Sequence, residues 1–196
     1  MTSLAAVFLV GCGEISYRPS AVGKTGDVVV VMDSVLWNGQ IGDALRDELG
    51  RYIMTLPNPE PMFSISYEPL RSQAIVDRVT ARKNVVFAAA LSDTTVESRF
   101  VRSAFSPDAQ ATIENGQSAF VERDDVWRRN QQVVYLAAPS RENLTELIRE
   151  SGSDMRNSFN VAERLRLEHD MFDKGRQFAL EDTLLARHDF LVKVQH

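Results

Sequence analysis

Asp27-Val28-Val29-Val30-Val31-Met32 is short, almost wholly β-branched and bounded by turn residues. Apolar at every position after the first and too brief for a buried helix, it reads as a fully buried strand. A strand buried throughout needs other elements to cover it, which commits the chain to a layered core. Two further runs have the same character. Asn84 to Leu91 (NVVFAAAL) suits a central strand whose small residues Ala88 to Ala90 admit a close helix, and Gln132 to Ala138 suits a longer strand. Met62 to Glu68 instead alternates, with Phe63, Ile65 and Tyr67 opposite Ser64 and Ser66, as a half-exposed strand does. Ser118 to Glu122 reads as a short strand joined to the next by a charged turn.

Between these runs the apolar period changes to that of helices. Asp33 and Ser34 can cap a helix whose stripe is Trp37, Ile41, Leu45 and Leu49, with a break near Asn38-Gly39. Leu56-Pro57-Asn58-Pro59-Glu60-Pro61 cannot continue it and predicts a rigid connector. Ser72 to Lys83 suits a helix with Ile75, Val76 and Val79 inward, and Val96, Phe100, Val101 and Phe105 suit another that Pro107 ends. From Ser140, Leu144, Ile148, Ser151, Met155, Phe159 and Ala162 fall on one stripe, kinked or split at Gly152. Glu163 to Arg187 stays helical in composition, and Phe190, Val192 and Val194 alternate as in a strand. The order β-α-β-α-β-(α)-β-β-α predicts an α+β (mixed αβ) fold: a mixed sheet covered by helices, with a long C-terminal helical segment.

The 196 residues suffice for one such domain, and 44% hydrophobic with 25% charged residues is ordinary for it. A net charge of −5 argues against a partner recognised by its phosphates, so no nucleic acid is expected.

The N-terminus carries a different signal. Leu4 to Val10 (LAAVFLV) is an unbroken apolar run followed by Gly11 and Cys12, the only cysteine. It falls well short of the ~20 residues of a membrane span and fits the apolar region of a secretory signal peptide. Leu9-Val10-Gly11-Cys12 resembles the bacterial lipobox, where the cysteine is lipidated and becomes the first residue of the mature chain. Met1-Thr2-Ser3 lacks the basic residues with which such peptides begin. The organisation expected is a signal peptide over 1–11, a lipidated tether over 12–26 with Cys12 as the attachment site, and one αβ domain over 27–196.

Motifs for chemistry fail on spacing. Gly23-Lys24-Thr25 has Arg18 where a phosphate loop needs its first Gly, and it precedes a strand rather than opening a helix, so no nucleotide is expected. His169, His188 and His196 form no H-E-x-x-H, and a lone Cys gives no thiolate site, so neither a metal nor another cofactor is expected. No G-x-S-x-G elbow is present. Asp124-Asp125 and Glu181-Asp182 are adjacent pairs that default to solvated carboxylates, and no catalytic residue is nominated. Trp37 lies on an apolar stripe and reads as core. Trp127, with Arg128 and Arg129, lies in a charged stretch, so these three are the candidate contacts with a partner, although the ring can equally tuck under the turn.

Several segments resemble an uncharacterised family of Bacteroidetes-type lipoproteins, the domain-of-unknown-function family numbered 4837. They are the lipobox, Gly23 to Asp33, Leu36-Trp37, Ile41 to Arg46, the proline stretch, Asp125 to Gln131 and Phe159 to Arg164. The resemblance implies a cell-envelope lipoprotein with no established activity, and members longer than this chain. The expectation is a lipid-anchored binding or assembly module, held to the membrane through its N-terminal lipid and meeting an envelope protein. The alternative is a periplasmic or surface enzyme whose site is completed by a partner or by missing C-terminal sequence.

Overall fold

A computed structural model describes residues 18–54, 58–172 and 175–194. The expected signal peptide, Cys12 and the start of the tether lie outside these, as do Leu56 and Pro57 of the proline stretch. Five strands form one sheet: β1 (Asp27–Val31), β4 (Ser64–Tyr67), β5 (Asn84–Ala90), β6 (Ala119–Asp124) and β7 (Gln132–Ala138), in the order β4-β1-β5-β7-β6. The first four strands in that order run parallel, and β6 closes one edge antiparallel to β7. β2 (Tyr52–Ile53) and β3 (Glu60–Pro61) make a small antiparallel ribbon, with Pro61 inside β3 paired to Tyr52. The fold is thus mixed αβ with a mixed sheet, as the element order predicted.

Side-chain alternation explains why the central strands are apolar throughout, because each face of the sheet has its own helical layer. Val28, Val30, Met32, Val86, Ala88, Val134, Leu136 and Ala138 point to one side. There they meet α1 (Ser34–Trp37), α2 (Gln40–Leu49), α6 (Arg141–Glu150) and the first half of α7 (Gly152–Phe172) through Leu36, Leu45, Leu49, Leu144, Ile148, Met155 and Phe159. Val29, Val31, Val85, Phe87, Ala89, Val133, Tyr135 and Ala137 point to the other side. They meet α3 (Gln73–Val79), α4 (Val96–Ser103) and α5 (Pro107–Glu114) through Val79, Val101, Phe105 and Ile113. The last helix, α8 (Phe178–His188), follows Gly175, whose φ of 82° is open to glycine and strained for other residues.

Several local expectations need correction. Pro107 does not simply end a helix but opens α5 as its first residue, with the Ser106 hydroxyl accepting from Ala109 N. Proline is suited to that position because its missing N–H would have no helical partner there. Of the two readings at Gly152 the split is the one found: α6 ends at Glu150, α7 begins at Gly152, and a Cβ there would fall on the Glu48 side chain. Residues 190–194 are not a strand. Val194 instead donates its N–H to Glu181 and its carbonyl accepts from Gln177 N. The described part of the 12–26 spacer is bound to the domain, with Ala21 N donating to Arg129 O and Val22 N to Ala81 O. Trp37 is half-buried at the edge of the first core, stacked on Tyr67 at 4.9 Å with Arg46 on its ring at 4.4 Å.

Candidate functional site

The four parallel strands begin at one edge, where their first polar groups lack partners within the sheet. α7 runs across that edge and supplies them. The apolar stripe Met155, Phe159 continues at helical spacing as Glu163 and Arg166, both buried. Glu163 Oε1 accepts from Asn84 Nδ2 at 2.7 Å and from Gly26 N at 3.2 Å. Asn84, the first residue of β5, also donates Nδ2 to Asp27 O at 3.0 Å and accepts from Arg166 Nη1 at 2.9 Å. Arg166 donates further to Asn130 O at 2.8 Å and Lys83 O at 3.2 Å, and meets Glu163 at 3.1 Å. Burial lowers the Arg166 pKa from the usual guanidinium value, while Glu163, Asp124 and Asp125 oppose that shift. The result is a charged knot with its polar groups engaged, which fixes α7 to the starts of three strands.

Beside this knot lies a cleft of about 470 Å³. Its floor is the part of the sheet that α7 leaves uncovered, with Glu122, Asp124 and Gln132. One end is the β6–β7 turn, with Asp125, Asn130 and Gln131, and its wall is Asn157, Ser158, Val161, Ala162 and Leu165 of α7. Gln132 Nε2 donates to Ser158 Oγ at 2.8 Å, tying floor to wall. A second hollow of about 480 Å³ continues along α7, sharing Val161 and Leu165 and adding Leu167, Met171 and Phe172. Acceptor oxygens and apolar carbon therefore line one continuous groove.

At the opposite edge, where the parallel strands end, the topology reverses between β1 and β5. Open αβ sheets hold ligands at such a switch point. Asp33 follows β1 and caps α1 by accepting from Val35 N at 2.8 Å. Glu97 is buried and accepts from Leu70 N at 2.7 Å. The buried Tyr67 hydroxyl makes no hydrogen bond with good geometry. Its pKa is raised first by burial and then by Glu97 and Asp33, with the Ser34 side chain and Arg71 acting against them. Nearby, a hollow of about 240 Å³ separates Gly39–Ile41 from Arg141 and Thr145.

The residues nominated from sequence fall as follows. Cys12 lies outside the described residues. Trp127 is half-buried, its ring 5.8 Å from Phe87 and 6.3 Å from Phe100, so it packs on the edge of the second core rather than projecting. The Trp127 backbone N–H donates to Gln131 Oε1 at 3.1 Å. Arg128 is half-buried, and Arg129 is exposed beside Ser20. The turn that carries them is held by Asp125 and Asn130, with φ of 52° and 60°. Glu181 is not a solvated carboxylate: it is buried and accepts from Arg176 Nη2 at 2.6 Å. Asn84, Glu163, Arg166 and Glu122 were not nominated. The available signal was the polar pair continuing the apolar stripe of α7, which only an overlying strand edge makes meaningful. Among the described residues, no group of three or more His, Cys, Asp or Glu is placed to hold a metal.

Fold and site together define a layered αβ domain with an acidic, partly apolar groove between its antiparallel edge strand and a long helix. The chain belongs to the family described as Domain of unknown function (DUF8532), whose profile matches residues 21–172. That match runs from before β1 to the end of α7, so it includes the knot and the groove. It overturns the resemblance to the family numbered 4837, whose segments carried no catalytic signature. No curated protein matches the chain, and no solved structure does.

Proposed function

We propose that this protein is a lipid-anchored binding or assembly module of the cell envelope. The observation that carries the reading is Leu4 to Cys12, an apolar run ending in a small residue and the sole cysteine. Acyl chains on Cys12 contribute about 0.8 kcal/mol per buried CH₂, so several together hold a domain stably at a bilayer. The six steps from Cys12 to Arg18 span at most about 22 Å. The chain then joins the fold through Ala21 and Val22, at the edge where the parallel strands begin. A lipid on Cys12 would therefore keep that edge near the membrane and turn the opposite edge away from it. Among the described residues no helix is long and apolar enough to cross a membrane.

Expression of the native chain and its Cys12→Ala variant, followed by membrane fractionation and N-terminal mass spectrometry, tests the anchor. The native chain is expected to begin at a diacylated Cys12, and the variant to leave the membrane fraction uncleaved. An unmodified Cys12, or a mature chain beginning elsewhere, overturns the reading. An enzymatic alternative has one observation in its favour: the Tyr67 hydroxyl, buried without a hydrogen bond of good geometry near Asp33 and Glu97 at the switch point.

A further inference from the structure

We propose that the groove along α7 receives a cationic, amphipathic helical segment of a partner protein. The inference rests on the binding-module reading and not on the lipid.

The groove exists because α7 outruns the core. Up to Phe159 its stripe is covered by the sheet, and beyond that point its buried side chains are Glu163 and Arg166. The rest of the helix leaves Val161, Leu165, Leu167 and Met171 exposed, at 42%, 61%, 55% and 44%. Scattered exposed aliphatics are ordinary, but Val161 and Leu165, one turn apart, form a short apolar stripe that lines both adjoining hollows, and Leu167 and Met171, one turn apart on another part of the helix surface, add to the second. An apolar stripe of this form accepts the apolar face of another helix.

Charge then selects the occupant. Glu122 and Asp124 stand two apart on β6, on the face toward α7, and Asp125 follows at the turn. Of the cations near them, Arg18 donates to Asp125 O, and Arg166 is committed to Glu163, Asn84 and two carbonyls. Arg123 points to the other face of the sheet, donating to Ala104 O and lying over Tyr135. Farther along the groove stand Arg164 and the Glu168–Lys193 ion pair. One end of the groove is thus strongly acidic and its length apolar. Lysine and arginine suit both parts, since their stems lie on apolar surface while their heads meet carboxylates.

The test uses the full chain carrying Cys12→Ser, so that lipidation has no bearing on the result. The probe is a fluorescein-labelled helical peptide with Leu on one face and Lys on the other, compared with a twin bearing Glu for Lys. Anisotropy at physiological ionic strength should show binding of the Lys peptide only. Glu122→Gln/Asp124→Asn should weaken it about tenfold or more, and Leu165→Asn by a similar factor. The control Glu146→Gln/Glu150→Gln, which removes the same charge from exposed α6, should change nothing. All these positions are exposed, so unchanged urea midpoints will show that the variants are folded. Failure of the Lys peptide to bind overturns the proposal, as do equal binding of its Glu twin and equal weakening by the cleft and control pairs. Sedimentation as a dimer that Leu165→Asn dissociates also overturns it, because the occupant is then a second copy.

Discussion

Arg166→Met removes the centre of the charged knot while keeping most of the side chain's length. The variant loses the ion pair to Glu163 and the donors to Asn84 Oδ1, Asn130 O and Lys83 O. Glu163 is left buried as a charge held by Asn84 Nδ2 and Gly26 N alone. Breaking a buried pair from one side costs about 3–5 kcal/mol. The orphaned acceptors add about 1–3 kcal/mol where water cannot reach them. The adjoining cleft admits water to some of these groups, so about 4 kcal/mol is expected, against a usual total of about 5–15. With a urea m value of about 2 kcal/mol/M, the unfolding midpoint should fall by about 2 M at unchanged m. The double variant Glu163→Met/Arg166→Met removes both charges, so its midpoint should recover to lie above that of Arg166→Met, a coupling of about 2–3 kcal/mol. A fall below about 0.5 M for the single variant would refute the reasoning. A double variant no more stable than Arg166→Met would equally do so, since the uncompensated charge would not then be the source of the loss.

Gly42→Ala should destabilise the protein, against the usual gain of about 0.5–1 kcal/mol for this change within a helix, because a Cβ at Gly42 falls on the Trp37 carbonyl; calorimetry reads the sign directly. Burial raises the Tyr135 pKa to about 12, with Arg123 opposing, against about 10 unfolded. The folded state then holds a proton that the unfolded state has released. The associated stability is complete below pH ~10 and is lost between about 10 and 12, a fall of about 2–3 kcal/mol that Tyr135→Phe should abolish in urea titrations. Glu181 has its pKa lowered by its bond from Arg176 and then by Val194 N, so the stability it gives the C-terminal segment should be present above the unfolded carboxylate pKa and fade as pH falls through the lower folded value. Amide exchange of α8 against pH, with and without Arg176→Ala, checks this. Trp127→Ala and Trp37→Ala should each cost about 2–3 kcal/mol in denaturant melts, since both rings are half-buried and ring-packed; a negligible cost for Trp127 would show that its contacts with Phe87 and Phe100 carry no stability.

What the chain determines by itself is the layered core. Val28 to Met32, Asn84 to Leu91 and Gln132 to Ala138 are apolar on both alternating faces, so each must lie between two covering layers, and the helical stripes at Ile41–Leu49 and Leu144–Phe159 supply one of them. These are local periodicities, readable because a strand repeats every two residues and a helix every 3.6. Pro107 shows the limit of such reading. The same residue ends one helix or begins another according to whether its missing N–H is needed, and the neighbouring Ser106 cap decides it. The knot lies further from the sequence still. Glu163 and Arg166 lie 79 and 82 positions beyond Asn84 along the chain, and each alone is an ordinary polar residue. Their meaning arises when α7 crosses the starts of β1, β5 and β7, where unpaired backbone groups require partners away from bulk water. The groove depends on tertiary structure for the same reason. Val161 and Leu165 lie off the buried stripe of α7, and only the antiparallel edge strand β6 brings Glu122 and Asp124 to their side. Periodicity can specify which residues leave water, whereas the position of a sheet edge, set by the packing of all the layers at once, decides which of them find cover.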